Sequence, residues 1–110
     1  MQLEFSSKPK VRIALAMATA HHRNITRKFD GKPYIDHPIE VAEILLGNGV
    51  TDQHVLAAAL LHDCCEDEDE NGQRMSISEV DSKLGVRVAR MVGYLTREKG
   101  MSKARYLDRL

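Results

Sequence analysis

The sequence predicts an all-α fold, a bundle of five or six helices. Three observations point to it. No segment sustains the apolar/polar alternation of a half-buried strand. Apolar residues instead recur in stretches of helical length, separated by breaks marked with Gly, Pro or Asn. Those breaks place capping residues before the apolar stretches and glycines after them.

The elements follow in order. Pro9 suits the first turn of a helix, where its missing N–H leaves no partner wanting, and residues 11–20 are rich in good helix formers. That helix gives out in His21-His22-Arg23-Asn24. Residues 27–34 read as a loop through Gly31 and Pro33. Asp36 or His37 is expected to cap a second helix, with Pro38 near its start. Ile39, Val41, Ala42, Ile44, Leu45 and Leu46 lie along it, and Gly47 and Gly49 stop it. Thr51 or Asp52 caps a third helix that carries His62 and Asp63 near its C-terminal end. The acidic tract 66–70, with Asn71-Gly72, is a loop. Ser76 and Glu79 form a capping box for a short fourth helix ending at Leu84-Gly85. Val86, Val88, Ala89, Val92 and Leu95 mark a fifth helix, and residues 101–110 begin a sixth.

Composition narrows the function. A chain of 110 residues is one domain, residues 1–110, able to bury a single core. Its 16 basic and 16 acidic residues cancel, so no global field draws it to nucleic acid or to a membrane surface. Aromatics at 5% and the absence of Trp argue against a base-stacking platform. No apolar run has the length of a membrane span, and the first residues lack a signal-peptide pattern, so a cytoplasmic location is expected. The two cysteines, Cys64 and Cys65, are adjacent, which suits neither a disulfide staple nor a zinc site; they read as core fillers.

The chemistry concentrates in His62-Asp63-Cys64-Cys65-Glu66-Asp67, which follows the apolar stretch 55–61. A neutral imidazole beside a carboxylate makes an adjacent pair of metal ligands. Extrapolated on a helix, His62, Glu66, Asp63 and Asp67 fall at roughly 0°, 40°, 100° and 140°, within one sector. Ligands at His62 and Asp63 would then have acids for proton transfer one turn away. The competing reading is an acidic helix end running into a solvated loop, against the helix dipole. A third histidine, His37, stands beside Pro38 at a helix entrance, from which it is able to reach the third helix. Arg27 and Lys28 lie in the Gly-bearing loop, where cations meet an anionic group or simply water. The pair His21-His22 reads as structural.

Two patterns in this order resemble the HD-domain metal phosphohydrolases, and among them the hydrolase domains of the RelA/SpoT stringent-response family. They are Gly31-Lys32-Pro33-Tyr34-Ile35-Asp36-His37-Pro38 and Ala59-Leu60-Leu61-His62-Asp63 with Glu66-Asp67. Arg27-Lys28, Leu84-Gly85 and Leu95-Thr96 extend the likeness over residues 11–97. The resemblance implies an HD fold holding one divalent ion, typically Mn²⁺, and removal of the 3′-pyrophosphate from guanosine tetra- or pentaphosphate. It assigns His37, His62 and Asp63 as metal ligands, and Glu66 and Asp67 as the residues that position and activate water. Arg27 and Lys28 would line the guanosine nucleotide pocket.

The pattern departs from the family in one important respect. Relatives supply a further aspartate ligand from a later helix. Asp108 in Tyr106-Leu107-Asp108-Arg109-Leu110 comes too soon after Thr96 to match it. The expected domain is therefore truncated at its C-terminus, and an end short of packing partners makes a homo-oligomer plausible. Two alternatives stand beside the hydrolase: a non-catalytic module that binds metal, nucleotide or another protein, and a phosphohydrolase of another nucleotide.

Overall fold

The computed structural model describes residues 8–28 and 30–99, with side chains through Leu95. Among these residues five helices follow one another: α1 (Pro9–His21), α2 (Asp36–Gly47), α3 (Gln53–Glu66), α4 (Ile77–Leu84) and α5 (Val86–Lys99). The expected sixth helix, and Asp108 with it, lies outside the described residues. One isolated antiparallel bridge, Thr26 to Pro33, pinches the loop between α1 and α2.

The helix ends show how far local chemistry decides the boundaries. Asp52 caps α3, its carboxylate accepting the His54 N–H at 2.8 Å. That bond and the His54 ring hold the Asp52 carboxyl below the usual carboxylate range. Ser76 caps α4 by accepting from the Glu79 N–H at 3.0 Å. Gly85, at φ 96°, turns the chain directly from α4 into α5, a conformation that favours glycine. Lys10 Nζ donates to the Leu84 carbonyl at 2.6 Å and so ties the end of α4 to α1.

The start of α2 differs from the expected cap. Neither Asp36 nor His37 caps it; Ile35 stands at the N-cap in a helical conformation, with no side-chain cap bond. Backbone bonds take over there. Asp36 N–H donates to the Pro33 carbonyl at 3.2 Å and His37 N–H to the Tyr34 carbonyl at 2.9 Å. The turn leading into the helix thus supplies what a capping side chain would, and both side chains are left for other work.

Helix α3 runs through the middle of the domain. Leu56, Ala57, Ala58, Ala59, Leu60 and Leu61 are all buried, so the helix is apolar on every side and has neighbours on every side. Val11, Ala14 and Ala18 of α1 present one buried stripe to the core. Val80 and Leu84 of α4 and Val88, Ala89 and Val92 of α5 complete it. On α5 the apolar pattern is only partly absorbed, since Val86 and Leu95 stay exposed. Cys64 and Cys65 are free, buried thiols within the core. Burial pushes the Cys65 thiol up to about 11 and Cys64 further, so both remain protonated core fillers.

Candidate metal centre and its surroundings

The last turn of α3 carries the candidate site. Asp63 is only 2% exposed, so its carboxylate must find compensation inside the protein. An imidazole nitrogen stands near each of its oxygens. His62 Nε2 lies 3.1 Å from Oδ1, and His37 Nε2 lies 3.8 Å from Oδ2. Glu66, one turn beyond His62, brings a carboxylate oxygen to the same place: ligand atoms of His62, Asp63 and Glu66 all lie within 4.8 Å of one another.

The tautomer of His62 follows from its other nitrogen. Nδ1 sits 2.9 Å from the Ala59 carbonyl, which only accepts, so Nδ1 carries the hydrogen in the neutral ring. The Nε2 lone pair is then directed toward the Asp63 carboxylate. Two acceptors 3.1 Å apart repel unless a positive charge joins them. Two ligands about 2.1 Å from one octahedral ion stand about 3 Å apart, so the spacing suits a shared cation. The backbone carbonyl also fixes the ring's orientation, a common support for a ligating histidine. The donor set of imidazole nitrogen and carboxylate oxygen fits a divalent metal ion.

Asp67 is reached by a different route from the one helical extrapolation suggests. It is the C-cap of α3, with extended backbone at φ −107° and ψ 143°, so its side chain does not continue the helical sector. Its N–H donates to the Asp63 carbonyl at 2.8 Å, and its carbonyl lies 2.8 Å from His21 Nε2, which must donate. Its carboxylate comes to Asp63 through Tyr34. The Tyr34 hydroxyl stands 3.2 Å from Asp63 Oδ2 and 3.3 Å from Asp67 Oδ2. Burial, together with those two carboxylates, raises the Tyr34 phenol well above its ordinary value, so it remains a donor.

Three rings that residue-by-residue reading left out of the chemistry form the wall beside this cluster. His22 and Tyr34 lie 4.7 Å apart between ring centroids, Tyr34 and His37 5.8 Å, and His21 and His22 5.1 Å. His22 is buried, and burial with the neighbouring His21 lowers its pKa, which keeps the ring neutral. The signal for Tyr34 was present in the Pro33-Tyr34 pattern. For His21 and His22 no local signal distinguished a helix end from a site wall.

Of the residues expected at the site, His62, Asp63 and Glu66 bring their ligand atoms within 4.8 Å of one another, His37 stands outside that group with Nε2 3.8 Å from Asp63 Oδ2, and Asp67 is linked to Asp63 through the Tyr34 hydroxyl. Arg27 and Lys28 stay in the preceding loop. Arg27 Nε lies 3.8 Å from Asp30 Oδ2, its N–H donates to the Lys32 carbonyl at 2.8 Å, and Lys28 is exposed. His62 also lines an open cavity of about 580 Å³ with mostly apolar walls from Val41, Leu45, Ala58, Met91 and Tyr94. No described helix is long and apolar enough to cross a membrane.

Comparison with known proteins agrees with this architecture. The HD domain family matches residues 14–109. The chain is 45% identical over 89 residues to guanosine-3′,5′-bis(diphosphate) 3′-pyrophosphohydrolase MESH1 of Danio rerio, a match covering 79% of this chain and 47% of that protein. It is 44% identical over 92 residues to the Homo sapiens protein of that name, covering 82% and 49%. A guanosine-3′,5′-bis(diphosphate) 3′-pyrophosphohydrolase of Aquifex aeolicus is 36% identical over 88 residues, covering 80% of this chain and 12% of that protein. The chain spans about half the length of the Danio rerio and Homo sapiens relatives. With its helical bundle, its adjacent His62 and Asp63, and a match over nearly its whole length, the chain belongs to the HD-domain family.

Proposed function

We propose that this HD domain is a metal-dependent phosphohydrolase that removes the 3′-pyrophosphate of guanosine tetra- or pentaphosphate, with Mn²⁺ as its ion. The observation that carries the reading is the buried Asp63 carboxylate with an imidazole nitrogen near each oxygen and Glu66 beside it. The substrate class comes from the similar pyrophosphohydrolases.

In this reading His37, His62 and Asp63 hold the ion. When bound, the ion polarises a phosphoryl oxygen and makes water more acidic. Glu66 and Asp67 orient the attacking water and accept its proton, while His62 keeps its Nε2 lone pair through the Ala59 carbonyl. Water bonds to the phosphorus on the 3′ oxygen and that P–O bond breaks, so the 3′ oxygen leaves and takes up a proton, releasing pyrophosphate and guanosine 5′-di- or triphosphate. Arg27 and Lys28 meet the anionic nucleotide from the loop before Tyr34. A cytoplasmic place in the stringent response agrees with two protonated, unpaired thiols in the core.

The alternative reading is a metal-binding module without turnover. One assay separates the two. Purified protein with Mn²⁺ is expected to release pyrophosphate from guanosine tetraphosphate and leave guanosine 5′-diphosphate, and a chelator is expected to stop it. Mn²⁺ binding without any release would favour the second reading. Release of orthophosphate alone would point to another phosphohydrolase.

A further inference from the structure

Asp67 has a fixed backbone and an exposed side chain. Its N–H is held by the Asp63 carbonyl and its own carbonyl by His21, each at 2.8 Å. Nothing in that backbone arrangement decides where its carboxylate points, because an exposed aspartate is free to change rotamer. A carboxylate beside the Asp63 carboxylate is also repelled by it. Yet Asp67 Oδ2 is 3.3 Å from the same hydroxyl oxygen that stands 3.2 Å from Asp63 Oδ2.

We propose that Tyr34 is a positioning residue that turns the Asp67 carboxylate toward Asp63 and holds the two acids in fixed register. A phenol has one hydrogen to give and carboxylates only accept, so the hydroxyl is a single donor shared between two charged acceptors. The ring cannot drift from this place. His22 lies against it at 4.7 Å and His37 at 5.8 Å, and the Tyr34 N–H donates to the Ile25 carbonyl at 2.9 Å. The hydroxyl thereby links α2's leading turn to the C-cap of α3, the two elements that furnish the candidate ligands and the candidate water-handling acid. Without it Asp67 would spend most of its time turned to solvent. The proposal deepens the hydrolase reading and, for its kinetic consequence, rests on it.

Tyr34→Phe keeps the ring and its contacts and removes only the hydroxyl. Its kcat for pyrophosphate release is expected to fall about tenfold, as loss of one hydrogen bond to a charged group implies, with KM nearly unchanged. In an Asp67→Asn background the same substitution is expected to add almost nothing, because Tyr34 acts through Asp67. A wild-type kcat in Tyr34→Phe, or losses that multiply in the double variant, would overturn the proposal. A crystal structure of Tyr34→Phe reads it independently of turnover. There the Asp67 carboxylate is expected to swing away from Asp63, and a carboxylate still in its original place would overturn the proposal. A wild-type protein that releases no pyrophosphate would refute the hydrolase reading while leaving that structural result decisive for Tyr34.

Discussion

Asp63→Ala is expected to abolish Mn²⁺ binding and turnover together. The carboxylate is the hub of the cluster, with His62 Nε2 at 3.1 Å on one oxygen and His37 Nε2 at 3.8 Å on the other. Removing it takes away a candidate charged ligand and also the group that two imidazoles approach. Altering even the outer supports of a metal site costs about 10–100-fold in affinity, so loss of this residue should exceed that range. Thermal unfolding gives the clearest reading. Mn²⁺ at a hundred times its Kd stabilises a binding protein by about 2.7 kcal/mol, which raises Tm by on the order of 10 °C in a domain of this size. The wild-type protein should show that rise and Asp63→Ala should show none. An equal rise in both would move the metal away from Asp63.

Glu66→Gln is expected to separate chemistry from binding. If Glu66 handles water rather than ligating the ion, its amide analogue should lower kcat by about 10²–10⁴-fold and change Mn²⁺ affinity by less than about tenfold. The question is sharp because a Glu66 oxygen stands within the same 4.8 Å cluster as His62 and Asp63. Mn²⁺ calorimetry beside steady-state kinetics decides it. A loss of affinity matching that of Asp63→Ala would make Glu66 a ligand and leave Asp67 as the sole water-handling acid.

Much of this was legible from residues in sequence order, for local reasons. Asp52 and Ser76 start their helices and Gly85 closes one, through bonds or dihedrals that depend on a few neighbouring residues. The run 56–61 has no polar face to offer solvent, so its central position follows from its composition. His62 and Asp63 were identifiable as a pair because adjacency alone brings their side chains to one end of a helix.

What sequence order obscured was decided by tertiary contact or by a change of backbone. Placing Asp67 at the edge of a helical sector assumed that α3 continues, but the chain turns extended there, and a tyrosine from another element sets the carboxylate's direction. The start of α2 misled in a similar way. Asp36 has the chemistry of a cap, yet backbone bonds from the turn at Pro33 and Tyr34 already satisfy that end. The His22 ring meets Tyr34 only after α1 has packed beside the loop.

The central claim is that one divalent ion sits among His37, His62 and Asp63. Crystals of the protein soaked in Mn²⁺ and measured at the manganese absorption edge test it most directly. One strong anomalous peak is expected about 2.1–2.3 Å from His62 Nε2, His37 Nε2 and an Asp63 carboxylate oxygen. A peak bound elsewhere, or none at saturating Mn²⁺, would contradict it.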